Sequence, residues 1–153
     1  MITRVTFFFS TFWLLLPLAN SLFAQQTVES GNIEVSIQGI DTEEEGKLIV
    51  LLFNSEDTWL EADQYYKMIE TEVSNETEKI VFEDIPFGTD YAIEVIHDEN
   101  GNLKMDMRIL PYPKPKEGFG LSNNTFRAGP PEYEKDRFSL DQPVVVLNIL
   151  MKY

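Results

Sequence analysis

Between Lys47 and Phe53 the chain reads KLIVLLF, apolar at every position from Leu48 onward and bounded by Gly46 and Asn54. A half-exposed strand would alternate polar and apolar residues, and a surface helix would show a polar face every three or four. A short run that is apolar throughout belongs to a strand covered on both faces. Its length and its bounding turn residues disfavour a helix. The fold must therefore supply a sheet with KLIVLLF in its middle and further layers of protein above and below it.

The rest of the chain supplies the companions. NIEVSIQGI alternates, with Ile33, Val35 and Ile37 on one face and Glu34, Ser36 and Gln38 on the other, which predicts a half-buried strand. SEDTWLEADQYY, residues 55–66, alternates poorly; Ser55 can cap a short helical turn there, with Trp59, Leu60 and Tyr65 over a core edge. KMIETEV and EKIVFEDI each read as a strand, joined by SNET, and IPFG is a turn. DYAIEVIHD is the next strand, with Tyr91, Ile93, Val95 and His97 on one face and Ala92, Glu94 and Ile96 on the other. From 100 to 131 the chain is irregular and rich in Gly and Pro, far longer than an ordinary connection. Phe119, Leu121 and Phe126 within it predict a packed loop, with a short strand near Met105–Leu110. KDRFSL and PVVVLNILMKY complete the set as two more strands. About seven strands and no convincing amphipathic helix give an all-β domain, a sandwich in preference to a closed barrel.

The first 24 residues stand apart. Arg4, the apolar run VTFFFSTFWLLLPLAN and the small-residue exit SLFAQQ have the order of a secretory signal peptide. Residues 25–31 read as a polar leader and 32–153 as one domain. The expected location is outside the cytoplasm, periplasmic or extracellular, with no membrane span once the signal is removed. No cysteine follows the apolar run, which excludes a lipid anchor on that residue type. With no cysteine anywhere, such a domain must be held by its core rather than by disulfides. The formal net charge is −14, which disfavours nucleic acid and anionic lipid as partners, attracts cations and keeps an exported protein soluble.

One stretch concentrates chemistry. Asp98, Asn100, Asn102 and Asp106 fall at relative positions one, three, five and nine, with the Lys104 carbonyl at seven. Those are the oxygen-donor positions of an EF-hand-type calcium loop, where alternate residues converge because the chain coils around the ion. Two positions depart from it. Leu103 stands where the sharp turn wants glycine, and Ile109 where a bidentate glutamate belongs. A replacement ligand would have to come from Glu99, Glu117 or elsewhere. The competing reading is an Asx-rich turn whose side chains bond nearby backbone N–H groups. His97, the only histidine, could serve as a base or ligand beside Asp98, but its parity assigns it to the core side as a hydrogen-bonding residue. No nucleophile motif, phosphate loop or dinucleotide fingerprint occurs.

GKLIVLLFNSED, VFEDIPFGTDYAIEVIHDENGNLKMD, PKEGFGLSNN and GPPEYEKDRFSL, taken in order, resemble the bacterial domain of unknown function 2141 family over about residues 46–152. The resemblance implies a small exported protein with an immunoglobulin-like or transthyretin-like sandwich and no established activity. FEDIPFGTDYAIEV also resembles the strand-turn-strand segment of carboxypeptidase-regulatory-like sandwiches. The recurrent family positions fall on His97, Asp98, Asn100, Gly101, Asn102, Asp106, Gly118, Gly120, Ser122 and Asn123. Asp90, inserted before Tyr91, and Leu103, in place of glycine, depart from the family pattern. The expectation is a non-enzymatic binding or accessory module of the bacterial cell envelope, taking an envelope protein or small ligand, with calcium as the candidate cation. The alternatives are an envelope hydrolase using His97 and Asp98, and a structural subunit that pairs through an edge strand.

Overall fold

The computed structural model describes residues 29–153 apart from 112 and 128. The proposed signal peptide and the leader up to residue 28 lie outside the described residues.

Six long strands form the frame: β1 (Ser30–Gln38), β2 (Lys47–Phe53), β3 (Lys67–Glu72), β4 (Thr77–Pro86), β5 (Asp90–Asp98) and, at the C-terminal end, β10 (Val144–Leu150). β1 begins two residues earlier than the sequence boundary at 32 and lies between β4, antiparallel, and β10, parallel. β2 lies between β3 and β5, antiparallel to both. Three short strands occur inside the long loop: β6 (Met107–Arg108), β7 (Lys114–Pro115) and β8 (Phe119–Leu121). β6 and β7 form a small hairpin, and β8 extends the second sheet beyond β5. The protein is thus an all-β sandwich of a three-stranded and a five-stranded sheet, with a separate two-stranded ribbon.

Its packing follows from the alternation in each strand. Ile33, Val35 and Ile37 of β1, Phe82 and Ile85 of β4, Leu48, Val50 and Leu52 of β2, and Tyr91, Ile93 and Val95 of β5 meet between the sheets as the main core. The opposite face of β2 and β5 carries Ile49, Leu51, Phe53 and Ile96. Trp59, Met68 and Met105 cover that face, so β2 is buried on both sides, as its composition requires.

Where the sequence suggested a strand over KDRFSL, the chain instead forms one helical turn, α1 (Tyr133–Asp136), and a two-residue strand, β9 (Phe138–Ser139), paired to the start of β5. The cause is Asp90. Its carboxylate pairs with Arg137 and accepts from the Ser139 hydroxyl (2.5 Å), and its carbonyl accepts from the Tyr133 hydroxyl (2.7 Å). The residue that departs from the family pattern is the anchor of this corner. The 3-10 turn Glu56–Thr58 is capped by Ser55, whose hydroxyl accepts the Asp57 N–H (3.2 Å).

The outer edge of β10 is partly closed. The Asn124 amide donates to the Asn148 carbonyl (2.8 Å) and accepts the Leu150 N–H (2.7 Å), imitating a neighbouring strand, and Phe119 and Lys152 exchange backbone hydrogen bonds. Capping of this kind blunts an edge against pairing with other chains. Among the described residues no helix is long and apolar enough to cross a membrane.

Candidate functional site

β5 ends on Asp98, a carboxylate only 1% exposed. Its Oδ1 accepts the N–H groups of Gly101 (2.8 Å) and Asn102 (3.1 Å), and its Oδ2 accepts that of Leu103 (2.8 Å). Three donors on one carboxylate force the chain into a tight coil, with Gly101 at φ +75° and Leu103 at φ +61°. The coil brings Asn100 and Asn102 over Asp106, to which both amides donate (3.1 Å each). The Lys104 N–H donates to Asn102 Oδ1 (3.0 Å). Gly46 lies against this turn so closely that a Cβ there would stand 2.5 Å from the Asp98 carbonyl oxygen.

Leu103 therefore adopts the left-handed conformation that the turn demands, although it lacks the glycine that takes it freely. Such a conformation costs an L-residue about 1–2 kcal/mol. Leu103 is 44% exposed, so its side chain is only partly packed. Leu103→Gly is expected to raise stability by about 1 kcal/mol, once the greater freedom of glycine in the unfolded chain is subtracted. Urea unfolding measures it, and a destabilised variant would show that the leucine side chain contributes packing instead.

Ile109, at the twelfth loop position, is exposed. The carboxylate that comes in is Glu117, eleven residues beyond Asp106 and buried. Its Oε1 accepts from the Asn100 amide (2.8 Å) and its Oε2 from the Asp106 N–H (3.0 Å). The Asp106 carbonyl accepts from the Lys116 N–H (2.9 Å), and the His97 N–H donates to the Gly118 carbonyl (2.8 Å). The Asp/Asn loop and the start of EGFGLSNN thus meet at one end of the sandwich. Burial raises the Glu117 carboxyl above its ordinary range, and the nearby Asp106 and Asp98 carboxylates push it the same way, while backbone N–H donors oppose them. Among the described residues no three His, Cys, Asp or Glu side chains are grouped to hold a metal ion by themselves. Any ion here would have to draw on the asparagine amides and backbone carbonyls as well as on carboxylates.

His97 is completely buried. Its Nδ1 is 2.9 Å from the Tyr153 hydroxyl, which also accepts the Asp41 N–H (2.8 Å). The Tyr153 ring meets the imidazole edge-on and lies over Gly118, where a Cβ would fall 2.3 Å from the ring. Gly120 is equally confined, by Ile149 at 2.6 Å. Ser122 is buried too: its hydroxyl accepts the Ile93 N–H (3.0 Å) and donates to the Asp136 carbonyl (2.5 Å). The Asn123 amide donates to the carbonyls of Lys135 (3.0 Å) and Arg137 (3.1 Å). Ser122 sits beside Ile93, four residues from His97 along β5, a span of about 13 Å at strand spacing. The two side chains do not form a catalytic pair.

A second site was not singled out in the sequence. On the outer face of β5, between Ala92 and Ile96, stands Glu94, only 7% exposed. It lies at the base of a cleft of about 900 Å³ roofed by the long loop and walled by Met105, Met107, Phe119, Leu121, Phe126 and Pro130. Its carboxyl has no hydrogen-bond or ion-pair partner among the described residues, and burial alone raises its pKa to about 8. One signal was present in the sequence. Glu94 is the single charge among the inner residues of a strand whose other positions from Tyr91 to Ile96 are apolar. The cleft itself was illegible, because its walls come from residues spread over 105–130.

These features define a class of protein: a β-sandwich whose Asp/Asn turn secures the root of a long loop, with that loop roofing an apolar cleft on the outer sheet face. The chain belongs to the family described as an uncharacterized protein conserved in bacteria (DUF2141), which matches residues 35–147. No curated protein and no solved structure matches it significantly.

Proposed function

We propose that the protein is an exported, non-enzymatic binding module of the bacterial cell envelope, periplasmic or extracellular, whose Asp/Asn loop is organised by a calcium ion. The observation that carries the cation reading is the convergence of Asp98, Asn100, Asn102, Asp106 and Glu117 on one coil of backbone. Glu117 supplies the carboxylate that Ile109 does not, and Leu103 keeps the left-handed backbone that glycine would have given. With the amides of Asn100 and Asn102 turned over, their oxygens would join those carboxylates and the Lys104 carbonyl in a set of the size calcium prefers. The export reading rests on the order of residues 1–24 and on the acidic, cysteine-free composition.

Calorimetric titration with calcium, and melting with calcium or chelator, test the cation role. Calcium at a hundredfold excess over its Kd is expected to add about 2.7 kcal/mol of stability. Asp106→Ala should abolish both the heat and the melting shift, while Glu83→Gln, on the other sheet, should leave them intact. An absence of heat and of any shift in the unaltered protein would remove the ion from the proposal.

The hydrolase reading gains nothing from the geometry. His97 Nδ1 is engaged by Tyr153 and the Ser122 hydroxyl by Ile93 and Asp136, both inside the fold, and neither residue lines the Glu94 cleft.

A further inference from the structure

We propose that the cleft beneath the 105–130 loop takes an apolar molecule carrying a protonated amine, with the Glu94 carboxylate as its counter-ion. The inference rests on the protein being a binding module and is independent of any ion in the Asp/Asn loop.

The cleft has the volume of a small-molecule site, about 900 Å³, with mostly apolar walls and a single ionisable group at its base. Glu94 is more than nine-tenths buried on a central strand, between Leu51 of β2 and Leu121 of β8. Buried carboxyl groups are ordinarily met by donors from the protein. Here none of the described residues supplies one, so the acceptor is left for whatever fills the space. A leucine at this position would serve folding better, and the carboxyl has no structural use in sight.

Three observations select an ammonium group. A carboxylate enclosed by apolar walls attracts a cation far more strongly than it would in water. The rings of Phe119 and Phe126, edge-to-face at 5.8 Å, line the same space, and aromatic faces favour cations. Phe126 already carries one such contact, with Lys152 Nζ 5.1 Å from its ring centre. The net charge of −14 also draws cations toward the protein from a distance. Two basic residues line the cleft as well, both exposed: Arg127 is held by Glu132 (2.8 Å), and Lys114 projects from the β6–β7 ribbon. Neither is paired with Glu94. Burial holds a proton on Glu94, and because an aliphatic amine is already protonated at neutral pH, the ammonium that enters displaces the carboxyl proton to solvent as the ion pair forms. Met105 and Met107 give the walls the adaptability to close on an unbranched chain.

The test is displacement of the fluorescent probe N-phenyl-1-naphthylamine from the protein by octylamine, octanol and octanoate, repeated with Glu94→Gln. The probe should be taken up by both proteins. Octylamine should displace it at a concentration about tenfold below that of octanol, with octanoate weakest, because only the amine makes a charge-assisted bond to Glu94. In Glu94→Gln the amine and the alcohol should become equal. Uptake of the probe with equal displacement by amine and alcohol, or with an amine preference that survives Glu94→Gln, overturns the proposed ligand chemistry and leaves the binding-module reading standing. Failure of the unaltered protein to take up the probe overturns both. Repeating the series in chelator should change nothing, and a preference that disappears there would overturn the claimed independence from the cation loop.

Discussion

Asp98→Ala is expected to cost about 3–4 kcal/mol of stability even in the presence of chelator, because three backbone N–H groups lose a charged acceptor at once. The carboxylate is almost fully enclosed, and the donors of Gly101, Asn102 and Leu103 have no other protein partner in this turn. Bonds to charged groups contribute about 1.5–3 kcal/mol each, but three in one turn do not add fully, since a loosened loop admits water. For a domain of this size the loss corresponds to a melting point lower by about 10–15 °C. Asp98→Asn should fall between, since one amide oxygen can still accept from Gly101 and Asn102 while its NH₂ is set against the Leu103 donor. Urea and thermal unfolding in chelator check it. A loss below about 0.5 kcal/mol, the range of an ordinary surface substitution, would mean that the turn is held by something other than Asp98.

Glu94→Gln is expected to change how stability depends on pH. Burial lifts the Glu94 carboxyl from 4.5 to about 8, so the folded protein retains a proton that the unfolded chain gives up anywhere between those values. The folded state then binds more protons than the unfolded state, and stability falls as the pH rises from about 4.5 to about 8 and is level outside that window. Each unit within it costs about 1.4 kcal/mol, or about 3 kcal/mol by pH 7. Removing the charge should make Glu94→Gln more stable than the unaltered protein at pH 8, and similar or slightly less stable at pH 4.5. A residual slope will remain, because burial also raises the Glu117 and Asp136 carboxyls. Urea unfolding at four or five pH values gives both curves. Parallel curves would show that Glu94 meets water or a partner in the folded protein and is not the isolated group described above.

Much of the frame was legible from pattern. The continuous apolar run of β2, the alternation of β1 and the parity of β5 each translate directly into which face is buried, because strand side chains alternate strictly. The short strands were legible only in part: one was suspected near Met105–Leu110, where β6 lies, and the strand read over KDRFSL contains β9. Two or three residues carry no period, and β8 and β9 exist only because β5 offers them a free edge. The helical turn at Tyr133–Asp136 was missed for a related reason. Its placement depends on Asp90, more than forty residues earlier, capturing Tyr133, Arg137 and Ser139.

The candidate site divides in the same way. Asp98, Asn100, Asn102 and Asp106 were found by local spacing, because a coil of nine residues encodes its own geometry. The Leu103 substitution counted against the coil in the sequence, yet the backbone there keeps φ +61°, since three hydrogen bonds to Asp98 outweigh a strain of about 1–2 kcal/mol. Glu117 could be named only as one of several carboxylates able to complete the set. Its selection required the chain to turn back through the β6–β7 ribbon and place it against Asn100 and Asp106.

By itself, then, the sequence determined the class of fold, the buried faces of β1, β2 and β5 and the place of the turn that closes β5, because all of these follow from alternation and spacing within a dozen residues. Only the tertiary structure decided what the outer face of β5 is for. Glu94 reads as an oddity in an apolar strand until residues 105–130 fold over it. A cleft is a property of surfaces brought together from distant parts of the chain, and burial, which makes its one carboxyl chemically distinctive, exists only once those surfaces have met.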